Sequence, residues 1–224
     1  FARSIKTTFD IFDAPGGHVI GARRDADPGY YYWRVTQWIM PWYTLIPPYS
    51  GGNALNGHAW VPIDDENCMA WTMTFHPTDP IPEKHVELIR DGHGVHALLI
   101  PGTTKPVANK SNDYLIDRNL QKSRRHYNGV RGLAMQDASV QESMGPIADR
   151  TAENLVSTDN AIILARSRLL KAAKEVQQGA RAPGLNPEDQ LVRSASFIIP
   201  VEASFKEQTL DAMKYRKGVP HVAV

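Results

Sequence analysis

The order of hydrophobic and polar positions divides this chain into a strand-like first third and a helix-like remainder. "GGHVIGARR" follows the turn signal Pro15-Gly16-Gly17, and Asp27-Pro28-Gly29 then opens a long extended stretch, "YYYWRVTQWIMPWYTLIPP". Bulky aromatic and β-branched residues occupy both faces of that stretch, which predicts a strand covered on both sides, with Pro41 marking a bulge or an edge. "GHAWVPI" and "CMAWTMTFHP" flank the turn sequence Asp64-Asp65-Glu66-Asn67 and predict a hairpin. In its second strand Met69, Trp71, Met73 and Phe75 share one face, read as core. Ala70, Thr72, Thr74 and His76 share the other, which is small and polar, as a cavity wall or a wetted surface would be.

After Pro77 the glycine and proline density rises, and "DGHGVHALLIPGTTKPVANKSN" reads as a long loop. Helices follow: "NDYLIDRNLQKSRR" from an Asn/Asp cap, "QDASVQESM" stopped by Gly145-Pro146, and "TDNAIILARSRLLKAAKEVQQG" capped by Ser157 and closed by Gly179. In the last of these, Ile162, Leu169, Ala173 and Val176 predict an apolar stripe, with Arg168, Lys171 and Lys174 elsewhere on the surface. Strands first and helices later, without βαβ alternation, predict an α+β domain: an antiparallel sheet with a long helix packed on it.

Composition narrows the function. With 224 residues, 42% of them hydrophobic, the chain is expected to form one domain over 1–224. Its 25 basic and 24 acidic residues leave a net charge of +1, which gives no field to attract nucleic acid or anionic lipid. No apolar run approaches the roughly 20 residues of a membrane span, and "FARSIKTTFD" lacks the apolar segment of a secretory signal. Cys68, the single cysteine, excludes an internal disulfide and suits a reducing cytoplasm; its place in a strand predicts a buried, small apolar residue. Phe1, where an initiator methionine would stand, is expected of a processed product or of a portion of something longer.

Candidate chemistry is sparse. His85, His93 and His96 are the densest histidine group, but Gly92 and Gly94 place them on a flexible segment that fixes ligands poorly, so solvated loop histidines are the simpler reading. No nucleophile elbow, zincin, Walker or dinucleotide-binding pattern occurs. Asp137 stands where a polar stretch gives way to a helix. Residue type alone favours a helix cap there; the competing reading is a metal ligand.

A longer pattern reverses that preference. "WVPIDDENCMAW", "NDYLIDRNLQKS" and "GVRGLAMQDASVQESMGPIADRTAENLVSTDNAIILARSRLL" resemble the catalytic domain of Rieske-type aromatic ring-hydroxylating oxygenases, most closely the phthalate 4,5-dioxygenase-like group, from about Trp60 to Ala173. The resemblance implies a helix-grip fold, with an antiparallel sheet around a long C-terminal helix. It also implies a mononuclear Fe(II) held by two histidines and one aspartate, here Asp137. Neither the family's histidine pair nor its Rieske [2Fe–2S] cluster motif occurs in these residues, so the chain is expected to be the C-terminal catalytic part of a longer subunit. The family further implies an aromatic substrate, O2, electrons from NAD(P)H through a reductase, and homotrimers or stacked trimers. Arg34, on one strand face with Tyr30, Tyr32, Thr36 and Trp38, would suit an aromatic carboxylate; the competing reading leaves it at the sheet surface or paired with an acid. The rival from another class is a non-catalytic helix-grip domain that binds an apolar small molecule.

Overall fold

The structure, a computed structural model, describes residues 4–48, 54–220 and 222; Phe1, and the expectation resting on it, lie outside the described residues. Among these, β1 (Thr8–Ala14), β2 (Gly17–Asp25), β3 (Tyr30–Ile39), β4 (Tyr43–Ile46), β5 (Leu55–Pro62) and β6 (Cys68–Phe75) form an antiparallel sheet in chain order. A seventh strand, β7 (Ala195–Pro200), returns from far along the chain. The helices are α1 (Glu83–Arg90), α2 (Arg118–Lys122), α3 (Leu133–Ser143), α4 (Asn160–Gln177) and α5 (Phe205–Thr209), with short 3-10 turns between them. This is the α+β arrangement that the pattern predicts, and it agrees with the helix-grip fold that the resemblance implies. The chain packs as two units: residues 62–68 with 80–153, and the rest, which holds most of the sheet with α4 and α5.

Each hairpin of the sheet unit has a local cause. Ala14 pairs with Gly17, so Pro15 and Gly16 make the first turn. Gly17 then tolerates no side chain, because a Cβ there would lie 1.9 Å from the Trp38 carbonyl oxygen of the neighbouring strand. The long extended stretch is broken where Pro41 cannot donate to the ladder: Ile39 pairs with Tyr43, and the chain folds back from β3 into β4. It is thus two strands and a turn, not one strand with a bulge. The outer edge of β3 is shared, with β7 pairing its first half and β4 its second.

The alternation along β3 separates two faces. Trp33, Val35, Gln37 and Ile39 are buried on one, where Trp33 stacks on Phe205 of α5 with ring centroids 4.1 Å apart. Val19, Ala195, Phe197 and Met213 complete this core. Each large side chain fully buried there contributes about 1.5–3 kcal/mol. Gln37 donates to the Arg193 carbonyl, and the Arg193 guanidinium, its pKa pulled down by burial, donates to the carbonyls of Ala212, Val219 and Pro220. That guanidinium ties the C-terminal segment to the core.

The other face carries Tyr32, Arg34, Thr36 and Trp38, with His18 opposite Trp38 and Asp13 opposite His18 by register. Here α4 is held to the sheet by Arg168, which the sequence places on the free surface. Its guanidinium donates to the carbonyls of Gly17, Ala14 and Pro15 at 2.5, 3.1 and 2.9 Å, with Asp13 at 3.6 Å. No residue of α4 is fully buried, and Ile162 and Val176 of the expected stripe are exposed. The guanidinium therefore does what an apolar stripe would otherwise do. Arg168→Ala is expected to lower stability by about 1.5–3 kcal/mol in urea titrations, as loss of charge-assisted hydrogen bonds does. Lys171→Ala, in an exposed ion pair with Glu175, should change it by less than about 0.5 kcal/mol.

Strand β6 departs from the alternation reading. Trp71 is 61% exposed, Met73 37% and Phe75 39%, whereas Thr72 and Thr74 are half-buried. The face of large residues is thus an open one on an edge strand. Thr74 donates to Asn56 Oδ1 across to β5 at 2.7 Å, so the small polar face is the ordered one. Cys68, at the strand's start, is exposed and not buried.

Candidate functional site

In the second unit the sequence "GLAMQDASVQES" folds as α3 from a start four residues before Asp137. Gly132 caps the helix at φ +79° and ψ 137°, a conformation few side chains adopt, and a Cβ there would come within 2.5 Å of the Gly92 carbonyl oxygen. The Ala134 amide donates to the Gly94 carbonyl at 3.1 Å. Loop 92–94 and the first turn of α3 are therefore pinned together by backbone.

Asp137 is consequently interior to the helix and caps nothing. Neighbouring aspartates show what capping looks like here. Asp117 accepts from the Asn119 and Leu120 amides at 2.9 Å, and Asp149 accepts from the Thr151 hydroxyl and amide, which holds its carboxyl below the usual carboxylate range. Asp137, exposed, accepts no hydrogen bond and forms no ion pair among the described residues. Helical spacing sets it in a stripe with Leu133, Val140 and Met144, which are 48%, 59% and 59% exposed. An uncommitted carboxylate thus stands beside exposed apolar side chains, with the exposed Gln141 one turn further on.

The opposite face of α3 is anchored. Met135 is buried against Tyr114 and Val130, with Ala138 packed beside them. Tyr114 donates from its hydroxyl to Glu142 Oε2 at 2.5 Å. Burial, and then the Glu142 carboxylate, push the phenol up to about 12, so it stays a donor throughout the neutral range. "NDYLIDRNLQKSRR" does not make one helix. A 3-10 turn capped by Asn109 is broken at Asp113, Tyr114 and Leu115, all left-handed with φ near +50°, before Asp117 caps α2. Left-handed backbone costs about 1–2 kcal/mol per non-glycine residue. Burial of Tyr114 and the Arg118–Asp113 ion pair at 3.0 Å help offset it.

The histidine group does not assemble. His85 lies on α1, Arg131 Nη2 donates to His93 Nε2 at 2.9 Å, and His96 lies in the following loop. Among the described residues no three His, Cys, Asp or Glu side chains gather as a metal would require. The donor chemistry of Asp137 fits one anionic oxygen ligand of a ferrous centre, and a full ligand set is not gathered among the described residues.

In the sheet unit, Arg34 donates from Nη2 to the Pro47 carbonyl at 2.9 Å. Around it on the same face stand Tyr32, Thr36, Trp38 and, by register, Ser196. His18 stacks on Trp38 at 5.2 Å, with Asp13 2.9 Å from its Nδ1. The opposite face holds an apolar pocket of about 320 Å³ lined by Ile39, Tyr43, Leu45, Leu55, Phe75 and Leu191 among others. Sequence reasoning misses both Arg168 and the Tyr114–Glu142 pair, since nothing in the spacing of those residues shows that they meet their partners.

A sheet with one long helix tied across one face, and a separate helix presenting a lone carboxylate, define an α+β protein of helix-grip type. The chain belongs to the LigXa C-terminal domain-like family, whose profile matches residues 23–218. It is 30% identical over 221 positions to the 3-chlorobenzoate-3,4-dioxygenase oxygenase subunit of Comamonas testosteroni, covering 88% of this chain and 49% of that protein. It is 31% identical over 166 positions to the phthalate 4,5-dioxygenase oxygenase subunit of Pseudomonas putida, covering 74% of this chain and 37% of that protein. The chain thus spans half or less of these curated relatives. The resemblance to ring-hydroxylating oxygenases, read from the motif blocks, agrees with both. No helix among the described residues is long and apolar enough to cross a membrane.

Proposed function

We propose that residues 1–224 are the C-terminal catalytic part of a cytoplasmic Rieske-type aromatic ring-hydroxylating oxygenase, and that Asp137 is the carboxylate ligand of its mononuclear Fe(II). One observation carries the reading: Asp137 is uncommitted and sits in an apolar stripe on a helix whose back is anchored. An exposed carboxylate with no partner on the protein among the described residues is free to take a metal, and the neighbouring Leu133, Val140 and Met144 offer it no competing donor. Bound Fe(II) would supply the activation of O2 beside the substrate. The remaining ligands and the [2Fe–2S] cluster would come from the rest of the subunit, electrons from NAD(P)H through a reductase, and the assembly would be a homotrimer or stacked trimers.

The substrate we infer is an aromatic acid. Both relatives are named for aromatic carboxylates, and the face of Tyr32, Arg34, Thr36 and Trp38 offers aromatic walls with a half-buried guanidinium. A planar guanidinium on such a face can take a substrate carboxylate through two parallel N–H donors. Arg34→Ala in the intact subunit is expected to raise KM for aromatic acids about 10- to 100-fold, the value of one charge-assisted pair. An unchanged KM for every acid tested would remove Arg34 from recognition. The reading as a whole is tested by metal analysis and O2 consumption of the intact subunit. It predicts about three irons per subunit and O2-dependent hydroxylation of a ring. An iron-free subunit that binds apolar ligands would instead support a non-catalytic binding domain, for which the 320 Å³ pocket is the natural site.

A further inference from the structure

We infer that Tyr114 and Glu142 are positioning residues for the metal: their hydrogen bond sets the rotation of α3 about its axis and so the direction in which Asp137 presents its carboxylate. This rests on the reading of Asp137 as a ligand. On α3, Met135, Ala138 and Glu142 fall on one face, and Asp137 falls well around the helix from them. A helix held only by small apolar contacts can roll by a fraction of a turn, because Met and Ala contacts are not directional. The hydroxyl-to-carboxylate bond is directional and spans the last turn of α3, while the Ala134–Gly94 bond and Gly132 fix the first turn. Together they hold the helix at both ends, with Asp137 between.

The local backbone points the same way. Tyr114, which meets α3 through its hydroxyl, lies in a segment, residues 113–115, with left-handed φ values of 51°, 54° and 53°. Non-glycine residues take that conformation when the surroundings impose it, and such strain clusters at sites where position matters.

The test uses the full-length subunit. Tyr114→Phe keeps the ring and removes only the donor. Outer-shell partners of metal ligands typically change affinity 10- to 100-fold. Tyr114→Phe is therefore expected to weaken Fe(II) binding about 10- to 100-fold in chelator competition, and to shift the ligand-field bands of the Co(II)-substituted centre. Glu142→Ala should do the same, whereas Glu142→Gln, which keeps an acceptor, should restore most of the affinity. Wild-type Fe(II) affinity and an unchanged Co(II) spectrum in Tyr114→Phe would overturn the inference, even if the thermal midpoint fell, because that pattern is packing alone. Asp137→Ala run alongside separates the two levels. Iron lost in Asp137→Ala but unaffected in Tyr114→Phe defeats only the positioning role, whereas iron retained in Asp137→Ala defeats the proposed site itself.

The same bond has a pH signature. The phenol titrates near 10 when unfolded and at about 12 when folded, so the neutral form is favoured by folding. Its contribution is whole below pH 10 and is lost as the pH rises from 10 towards about 12. Wild type should lose stability across that window relative to Tyr114→Phe, and parallel profiles would argue against a buried donor at Tyr114.

Discussion

Replacing Asp137 by alanine in the intact subunit is expected, on the proposed oxygenase reading, to lower ring hydroxylation by at least ~10³-fold, the scale expected when a catalytic metal is lost, while the visible spectrum of the proposed Rieske cluster persists. The same change should leave the thermal midpoint almost where it was. Asp137 accepts no hydrogen bond, forms no ion pair and is exposed among the described residues, so a surface-type change of under about 0.5 kcal/mol is expected. This pairing of a large functional loss with a negligible stability change is what distinguishes a ligand from a cap. A cap such as Asp117, replaced in the same way, should cost about 1 kcal/mol and leave iron in place.

The second large effect belongs to Gly132. Alanine there meets a backbone conformation of φ +79°, ψ 137° and a Cβ position 2.5 Å from the Gly92 carbonyl oxygen. Strain of that kind costs about 1–3 kcal/mol, and the clash is with backbone, which has no rotamer to change. We expect Gly132→Ala to lower stability by more than about 3 kcal/mol and to reduce bound iron, because the first turn of α3 must move away from loop 92–94. Gly94→Ala is the control: its φ is +67°, but nothing lies within 4 Å of the added Cβ. It should show strain alone, about 1 kcal/mol, and keep its iron. Equal effects of the two substitutions would mean that the Gly92–Gly132 approach does not fix the helix.

What could be read from the chain, and what could not, follows from the range of the forces involved. The hairpin around Asp64 and Asn67 was legible because its turn is local: Asp64 accepts from the Glu66 and Asn67 amides at 2.9 and 2.7 Å. The end of α4 at Gly179 was legible for the same reason. Strand β7 was not, since "ASFIIP" gains its partner from β3 across most of the chain. Alternation correctly grouped Trp71, Met73 and Phe75 on one face of β6, but alternation carries no information on what covers a face. The start of α3 was misplaced because Gly132 is a capping residue by virtue of backbone shape and a close approach to Gly92, with no side-chain signal to read. Arg168 and Arg193 were taken as ordinary surface or unremarked residues, yet each gathers several carbonyls that only the folded chain brings within reach.

The candidate site divides in the same way. Asp137 was found through a long motif and not through local chemistry, which by itself favoured a cap. Within the quoted blocks, the structure gives several polar positions plain structural duties. Asp149 caps a 3-10 turn, Arg150 pairs with Glu153 at 3.4 Å, Asp159 accepts from the Val156 amide, and Glu142 holds Tyr114. Once those duties are assigned, Asp137 is a motif aspartate that none of them explains.

The most direct test of that conclusion is an anomalous difference map at the iron edge from crystals of the intact subunit. The account predicts a mononuclear iron peak within about 2–2.2 Å of an Asp137 carboxylate oxygen, the distance of a metal–carboxylate bond, and separate from the cluster irons. A mononuclear iron held by other residues, with Asp137 pointing into solvent, would contradict it.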